Sequence, residues 1–246
     1  MLTGLYSAAT AMDAATRQHE VVAQNLAHAQ MPGYRRMVLL QSSFESGFEE
    51  AMRDAVSRQA MGTQTAEVAY DFSPGPHDPT DHPLDLAIQG DGFFVVRGEN
   101  GQSLYTRNGN FRVDDEGRLS TADGLPVLGG GREITIPDNV SAATIQIARD
   151  GSISNEGNSL GKIDLVSFAE PFRLQQAGIT LFSAPAGVIP QPSDSLVVQG
   201  MRERSNVSPI QEMVLMIDAQ RRHEAAQKAM NSLGDAVQRH IDLQGT

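Results

Sequence analysis

Residues 2–34 read LTGLYSAATAMDAATRQHEVVAQNLAHAQMPGY, and their spacing constrains the chain more than any other stretch. Leu5, Met12, His19 and Leu26 fall seven apart, with Leu2, Ala9, Thr16 and Ala23 interleaved. Such spacing draws a narrow seam down one face of a helix. Thr3 is placed to cap its start, and Pro32-Gly33 to stop it. A run of about 26 residues at ~1.5 Å each is about 40 Å long. Asn25 faces away from the Leu26 line and has no evident chemical company.

A helix greased only by Ala, Thr and single aliphatics is not stable alone in water, because helical stability comes mainly from a buried face. The opposite end of the chain offers a partner. From Ser208 to Leu243, the residues Met213, Ile217, Gln220, Gln227, Met230, Val237 and Ile241 again step by three or four, with Ser208-Pro209 suited to the first turn. Two readings stay open at this point. The helices form an ordinary hairpin within one globule, or they are assembly helices packed against copies of themselves.

Composition narrows the rest. The 246 residues suffice for one large or two small domains. With no cysteine, disulfides and thiolate chemistry are excluded. No window approaches the ~18 uninterrupted apolar residues of a membrane span. No basic residue precedes Arg17 and no compact apolar block follows, so the start does not read as a cleavable secretory signal. The net charge of −11 is concentrated in the middle: residues 61–200 carry 8 Lys/Arg against 18 Asp/Glu, whereas residues 1–60 carry 5 against 6 and residues 201–246 carry 6 against 6. Nucleic acid is not an expected partner, since there is no basic patch to release counterions. Neutral ends crowd together without Coulomb cost, while an acidic middle stays in water.

Between the ends the texture changes. Val38–Leu40 suits a short strand and Glu49–Gln59 a helical turn or two. Residues 61–83 look like linker, with Pro74, Pro76, Pro79 and Pro83 barring helix. From Leu84 to about Gly200 short β runs alternate with turns. LDLAI and FFVVR around Gln89-Gly90-Asp91-Gly92 suggest a hairpin. Asn108-Gly109 and Asp123-Gly124 are tight-turn signals, REITI, ATIQIA, SIS, KIDLVSF and SLVVQG supply further strands, and only Pro171–Gln176 is a helical candidate. The expected fold class is α+β: an antiparallel all-β central domain inserted between N- and C-terminal helices that pair in a coiled-coil-like layer. The expected divisions are a terminal helical domain of 1–34 with 205–246, a connecting segment 35–75 and a β domain 76–204.

Motifs that look like chemistry weigh little. Gly157-Asn158-Ser159-Leu160-Gly161 matches the nucleophile-elbow string, but a helix must follow it and a strand does, so a hairpin loop is the better reading. His77, Asp78, Asp81 and His82 have suitable ligand chemistry for a metal but lie in a proline-rich linker. Asp85 and Asp91 would be an acid pair only with a substrate to hold, and no stacking Trp exists. Gly129-Gly130-Gly131 lacks the Lys-Ser/Thr of a phosphate loop. His19 reads as a packed interface residue. No catalytic constellation, metal or cofactor is expected.

Three long strings then share one resemblance. GLYSAATAM with QNLAHAQMPGYRR, PLDLAIQGDGFFVV with LYTRNGNFRVDDEGRLSTADGLPVLG, and SNVSPIQEMVLMIDAQRRHEAAQKAM resemble, in order, the N-terminal, central and C-terminal signatures of the bacterial flagellar rod and hook proteins. Gln24 and His28 stand where that family usually has Asn, and His223 where Tyr or Phe is common. The resemblance implies a structural, non-enzymatic subunit exported without a cleaved signal, stacking helically with its helices lining an inner tube and its β domain outside. The length disfavours the hook, and Ser205-Asn206-Val207-Ser208-Pro209 favours the proximal over the distal rod. Implied partners are copies of itself, other rod proteins and the flagellar export apparatus, with no nucleic acid or small-molecule substrate. Implied assembly residues are Leu5, Met12, His19, Leu26, Met213, Ile217, Gln220, Met230 and Val237. Phe44 and Phe48 resemble a short aromatic export motif. The rival readings are a hydrolase using Ser159 and a monomeric binding module with a closed helical hairpin.

Overall fold

The computed structural model describes residues 2–40 and 67–244, which separate into two compact units. Of the described residues, one unit comprises 2–27, 37–40, 67–70 and 208–244, and the other comprises 28–36 and 71–207. The chain is α+β: two long helices at its ends and antiparallel strands between them.

In the first unit α1 spans Leu2–Ala27 and α2 spans Pro209–Gln244. Three contacts set them antiparallel. The Cβ position of Gly4 lies 3.4 Å from Leu233 Cδ1, Thr16 Oγ1 is 3.4 Å from His223 Nδ1, and Asn25 Nδ2 is 3.3 Å from Glu212 Oε2. At ~1.5 Å per residue α2 is about 54 Å long and α1 about 39 Å, so α2 runs about 16 Å beyond the level of Gly4. Arg36–Leu40 and Glu67–Asp71 form a two-stranded sheet that belongs to this unit except for Arg36 and Asp71.

The seam of α1 is displaced from the expected one. Its buried line is Ala8, Ala15 and Val22, while Ala9 and Thr16 are exposed and Leu5, Met12, His19 and Leu26 are half-buried along one edge. Facing it on α2 are the buried Ala219 and Ala226. The physical reason is size: alanine lets two backbones approach, so the closest line falls on the smallest side chains and the larger ones splay to the flank. Two end signals also differ. The helix begins at Leu2, so Thr3 lies inside it, and it ends at Ala27, well before Pro32. The Pro209 start of α2 agrees with proline at a first helical position.

In the second unit one apolar core joins several small sheets. Leu86, Ile88, Phe94, Val96, Phe111, Leu119, Val127, Ile153, Ile163 and Val197 are all essentially inaccessible. A six-stranded antiparallel sheet runs in the order Gln175–Gln176, Leu181–Ser183, Ser103–Thr106, Phe93–Arg97, Leu165–Ser167, Gln191–Pro192. A three-stranded sheet runs Ile145–Ile147, Ser152–Asn155, Asn158–Lys162.

Several local signals resolve differently here. Leu86–Gln89 and Phe93–Arg97 are not a hairpin: the first pairs with Leu196–Gln199, the second with Ser103–Thr106 and Leu165–Ser167. Residues 90–92 are therefore a corner between sheets. Asn108-Gly109 likewise joins strands of different sheets, since Phe111–Val113 pairs with Leu119–Thr121. Gly109 is there because its amide carbonyl receives Leu86 N–H at 2.9 Å and a Cβ would overlap the Leu86 carbonyl. Asp123-Gly124 does make a tight turn, with Gly124 at φ 83° donating to Thr121 O. The linker reading of residues 61–83 fails for two of its parts: Glu67–Asp71 is a strand, and His77–Pro79 pairs with Met201–Glu203. Pro171–Arg173 is a single 3-10 turn.

Candidate assembly interface

The pairing of α1 with α2 consumes only one side of α2. Glu212, Ala219 and Ala226 face α1 and are buried. Steps of ~100° per residue put Ile210, Met213, Val214 and Ile217 within an arc of about 100° on the opposite side. These four apolar side chains are 77%, 52%, 61% and 50% exposed. The stripe covers only the first turns of α2, because Arg221, Glu224 and Lys228 continue the same face as exposed charges. The first turns of α2 thus carry two opposed faces, one covered by α1 and one apolar and open to solvent.

This geometry divides the sequence-derived set. Met213 and Ile217 belong to the open stripe and Gln220 is exposed at its edge. Leu5, Met12, His19 and Leu26 flank the line within the pair, and Met230 is half-buried. The Val237 side chain, together with Phe44, Phe48 and the helical turn expected at 49–59, lies outside the described residues.

Small facing residues leave a cleft between the helices. It has a volume of about 420 Å³ and is lined by Ala15, Thr16, His19, Ala219, Gln220, His223 and Glu224. His223 stands at its wall, where its Nδ1 lies 3.4 Å from Thr16 Oγ1. Gln24 is exposed, and His28 lies 5.2 Å from the Tyr34 ring, centroid to centroid.

Asn25 is the residue sequence reasoning missed. It is fully buried; its Nδ2 donates to Met37 O at 2.9 Å and its Oδ1 accepts from Met37 N at 2.8 Å. With its contact to the buried Glu212 carboxylate, one amide ties the end of α1, the Arg36–Leu40 strand and the first turn of α2. Glu212 also sits where a helix N-terminus favours negative charge. The available signal was spacing: Asn25 lies three residues beyond Val22 on the true buried line, and a seam drawn one residue off left it outside.

The chemical alternatives meet the structure less well. Ser159 lies exposed inside the Asn158–Lys162 strand, preceded by a Glu156-Gly157 turn with φ of 49° and 86°, so no elbow or following helix presents it. His77 and Asp78 are in a paired strand, and His82 Nδ1 is 3.9 Å from Asp85 Oδ1. Among the described residues no three His, Asp or Glu side chains converge as metal ligands. Asp85 is buried and Asp91 exposed, and Asp91 O accepts from Ser193 and Ser195 hydroxyls.

Two family models match the chain: the flagellar hook protein FlgE/F/G D1 domain over residues 87–155, and the flagellar basal body rod FlgEFG protein C-terminal region over residues 198–243. The chain is similar to the flagellar basal-body rod protein FlgF of Salmonella typhimurium, at 35% identity over 94% of each chain. It is similar to FlgF of Caulobacter vibrioides at 33% identity, over 93% of this chain and 92% of that one. The rod protein FlgG of Buchnera aphidicola subsp. Schizaphis graminum is 30% identical, over 99% of this chain and all of that one.

Proposed function

The chain belongs to the family of flagellar basal-body rod proteins, and from that premise we propose that it polymerises helically through its terminal helices into the torque-transmitting axial tube. Its role is structural, in the basal body, and its reading as a proximal rod subunit follows the greater likeness to FlgF. The observation that carries this reading is the open stripe of Ile210, Met213, Val214 and Ile217 opposite the face that α2 gives to α1. Repetition of one heterologous, non-closing contact along a screw axis makes a tube. In it the helices pair in a coiled-coil-like inner layer and the acidic β domain stands outside. The divisions proposed for the assembled subunit are 1–34 with 205–246, 35–75 and 76–204, which cut the chain differently from the compact units at 28–36, 71–75 and 205–207. Leu5, Met12, His19, Leu26, Met213, Ile217, Gln220, Met230 and Val237 are proposed as assembly residues. Phe44 and Phe48 are proposed as an export signal read by the flagellar export apparatus.

The test is complementation of a strain lacking its own copy of this gene, with basal bodies isolated and their subunits identified. Met213→Asp and Ile217→Asp are expected to abolish motility and incorporation while the purified monomer keeps its helix content. Leu26→Asp is expected to abolish them too, because a charge set at the edge of the seam recurs in every copy. Normal swimming and incorporation in both α2 variants would remove the stripe from the interface.

A further inference from the structure

The chain passes between its two units four times, at 27/28, 36/37, 70/71 and 207/208. Inside the β unit, the segments that make these passages are bonded to one another by two side chains three residues apart. Asn206 Oδ1 accepts from Arg36 N at 2.8 Å, and its Nδ2 donates to Asp71 O at 2.8 Å and Ser73 O at 3.1 Å. Glu203 is fully buried. Its Oε1 accepts from Arg35 Nη2 at 2.6 Å and Gly75 N at 2.9 Å, its Oε2 from Arg107 Nη1 at 3.4 Å, and its carbonyl from Gly33 N at 2.9 Å.

The surroundings leave these segments little freedom. Arg35 is fully buried, and Arg107 also donates to Gly90 O at 2.8 Å and stacks 5.3 Å from the centre of the Phe93 ring. Burial lowers the Arg107 guanidinium from its ordinary value; the Glu203 carboxylate opposes this and the Arg35 charge adds to it. Gly33 has φ 69°, and a Cβ there would overlap the Asn108 backbone. Tyr34 packs with Ala29 and Val207. Arg204 N donates to Pro76 O at 2.8 Å.

We propose that Glu203 and Asn206 are a clasp that makes residues 28–36, 71–76 and 203–207 one mechanical body, so that the four passages yield together or not at all. A chain entering and leaving by separate loops would stretch one loop at a time under load. A clasped chain shares the load between the buried charge-assisted bonds of the Glu203 carboxylate, which are the stronger kind, and the neutral, part-buried bonds of Asn206. In the tube the clasp would take up tension carried along the four passages, a consequence that rests on the rod reading above, whereas the clasp itself does not.

Asn206→Ala removes the bonds to Arg36, Asp71 and Ser73 but leaves the Glu203 charges paired. Amide exchange of the purified full chain, resolved by residue, reads the result. The clasp predicts exchange faster by about tenfold at Arg36 and also at Gly33 and Gly75, which Asn206 does not touch, with Leu119 and Val127 unchanged. Acceleration confined to Arg36 means independent ties and overturns the proposal. Equal acceleration at Leu119 and Val127 means general loss of the unit and overturns it as well. In cells the same variant is expected to enter basal bodies and swim normally in dilute medium, with motility lost in medium thickened by an inert polymer. Equal motility in both media, with the exchange result intact, retains the clasp and removes its role under tension. Absence of both wild-type and variant chains from basal bodies would instead sink the rod reading.

Discussion

The two units of this molecule spend their apolar residues in opposite ways. The β unit buries most of its large side chains: Phe94, Phe111, Phe182, Leu86, Ile153 and Ile163 are all less than 2% exposed, with Phe172 and Ile189 among the exposed exceptions. The helical unit buries alanines and leaves Ile210, Met213, Val214 and Ile217 in water. Apolar burial at roughly 25 cal/mol per Å² therefore favours the β unit, whose core is built of large side chains, more than the helical pair, whose described contact line is mostly alanine. A fold that finishes one half and leaves the other unfinished separates standing alone from joining others.

The largest test of that contrast removes a ring from the finished half. Phe94→Ala should cost the β unit about 3–5 kcal/mol, read as a lower denaturation midpoint. A loss under about 1 kcal/mol would mean its core does not depend on large side chains as described. A smaller effect is expected at the polar tie of the unfinished half. Asn25→Ala leaves the Met37 N–H and C=O without their partner in a buried site, at about 1–3 kcal/mol. Exchange at the Met37 amide should rise while that at Leu119 stays fixed. The smallest effect on the monomer is expected where the effect on assembly is greatest. Ile217→Ser should change monomer stability within about 0.5 kcal/mol, because the side chain is already half in solvent, yet abolish incorporation into basal bodies. A large loss of monomer stability would show that Ile217 serves the fold of one chain, and the contrast between the units would dissolve.

Much of the helical architecture was legible because amphipathic spacing is a long-range regularity: both helices, their lengths and the Pro209 start could be read from residue order. The phase of the seam could not. Alanine counts as weakly apolar in any pattern, so the Leu5–Leu26 line outweighed the Ala8–Ala15–Val22 line, although close approach of two backbones selects the latter. That error of phase also hid Asn25. In the β unit the strands were legible and their partners were not, since Leu86–Gln89 finds its mate more than a hundred residues away at Leu196–Gln199. A turn signal reports a change of direction; Gly109 shows that it does not say which strand comes next. Glu203 carried no signal at all, because a buried carboxylate is recognised only when its two arginines have been brought from distant parts of the chain.

The unequal lengths of the two helices have a bearing on how joints fail. Because α2 continues about 16 Å past the level of Gly4, the helical pair ends in a step instead of a flush face. Joiners cut such steps deliberately, as lap joints. Pieces laid end to end with stepped ends have no plane running straight between them, so a bending or twisting force must shear along timber as well as part the seam. A shaft made of such pieces resists snapping at its joints without any single strong bond across them.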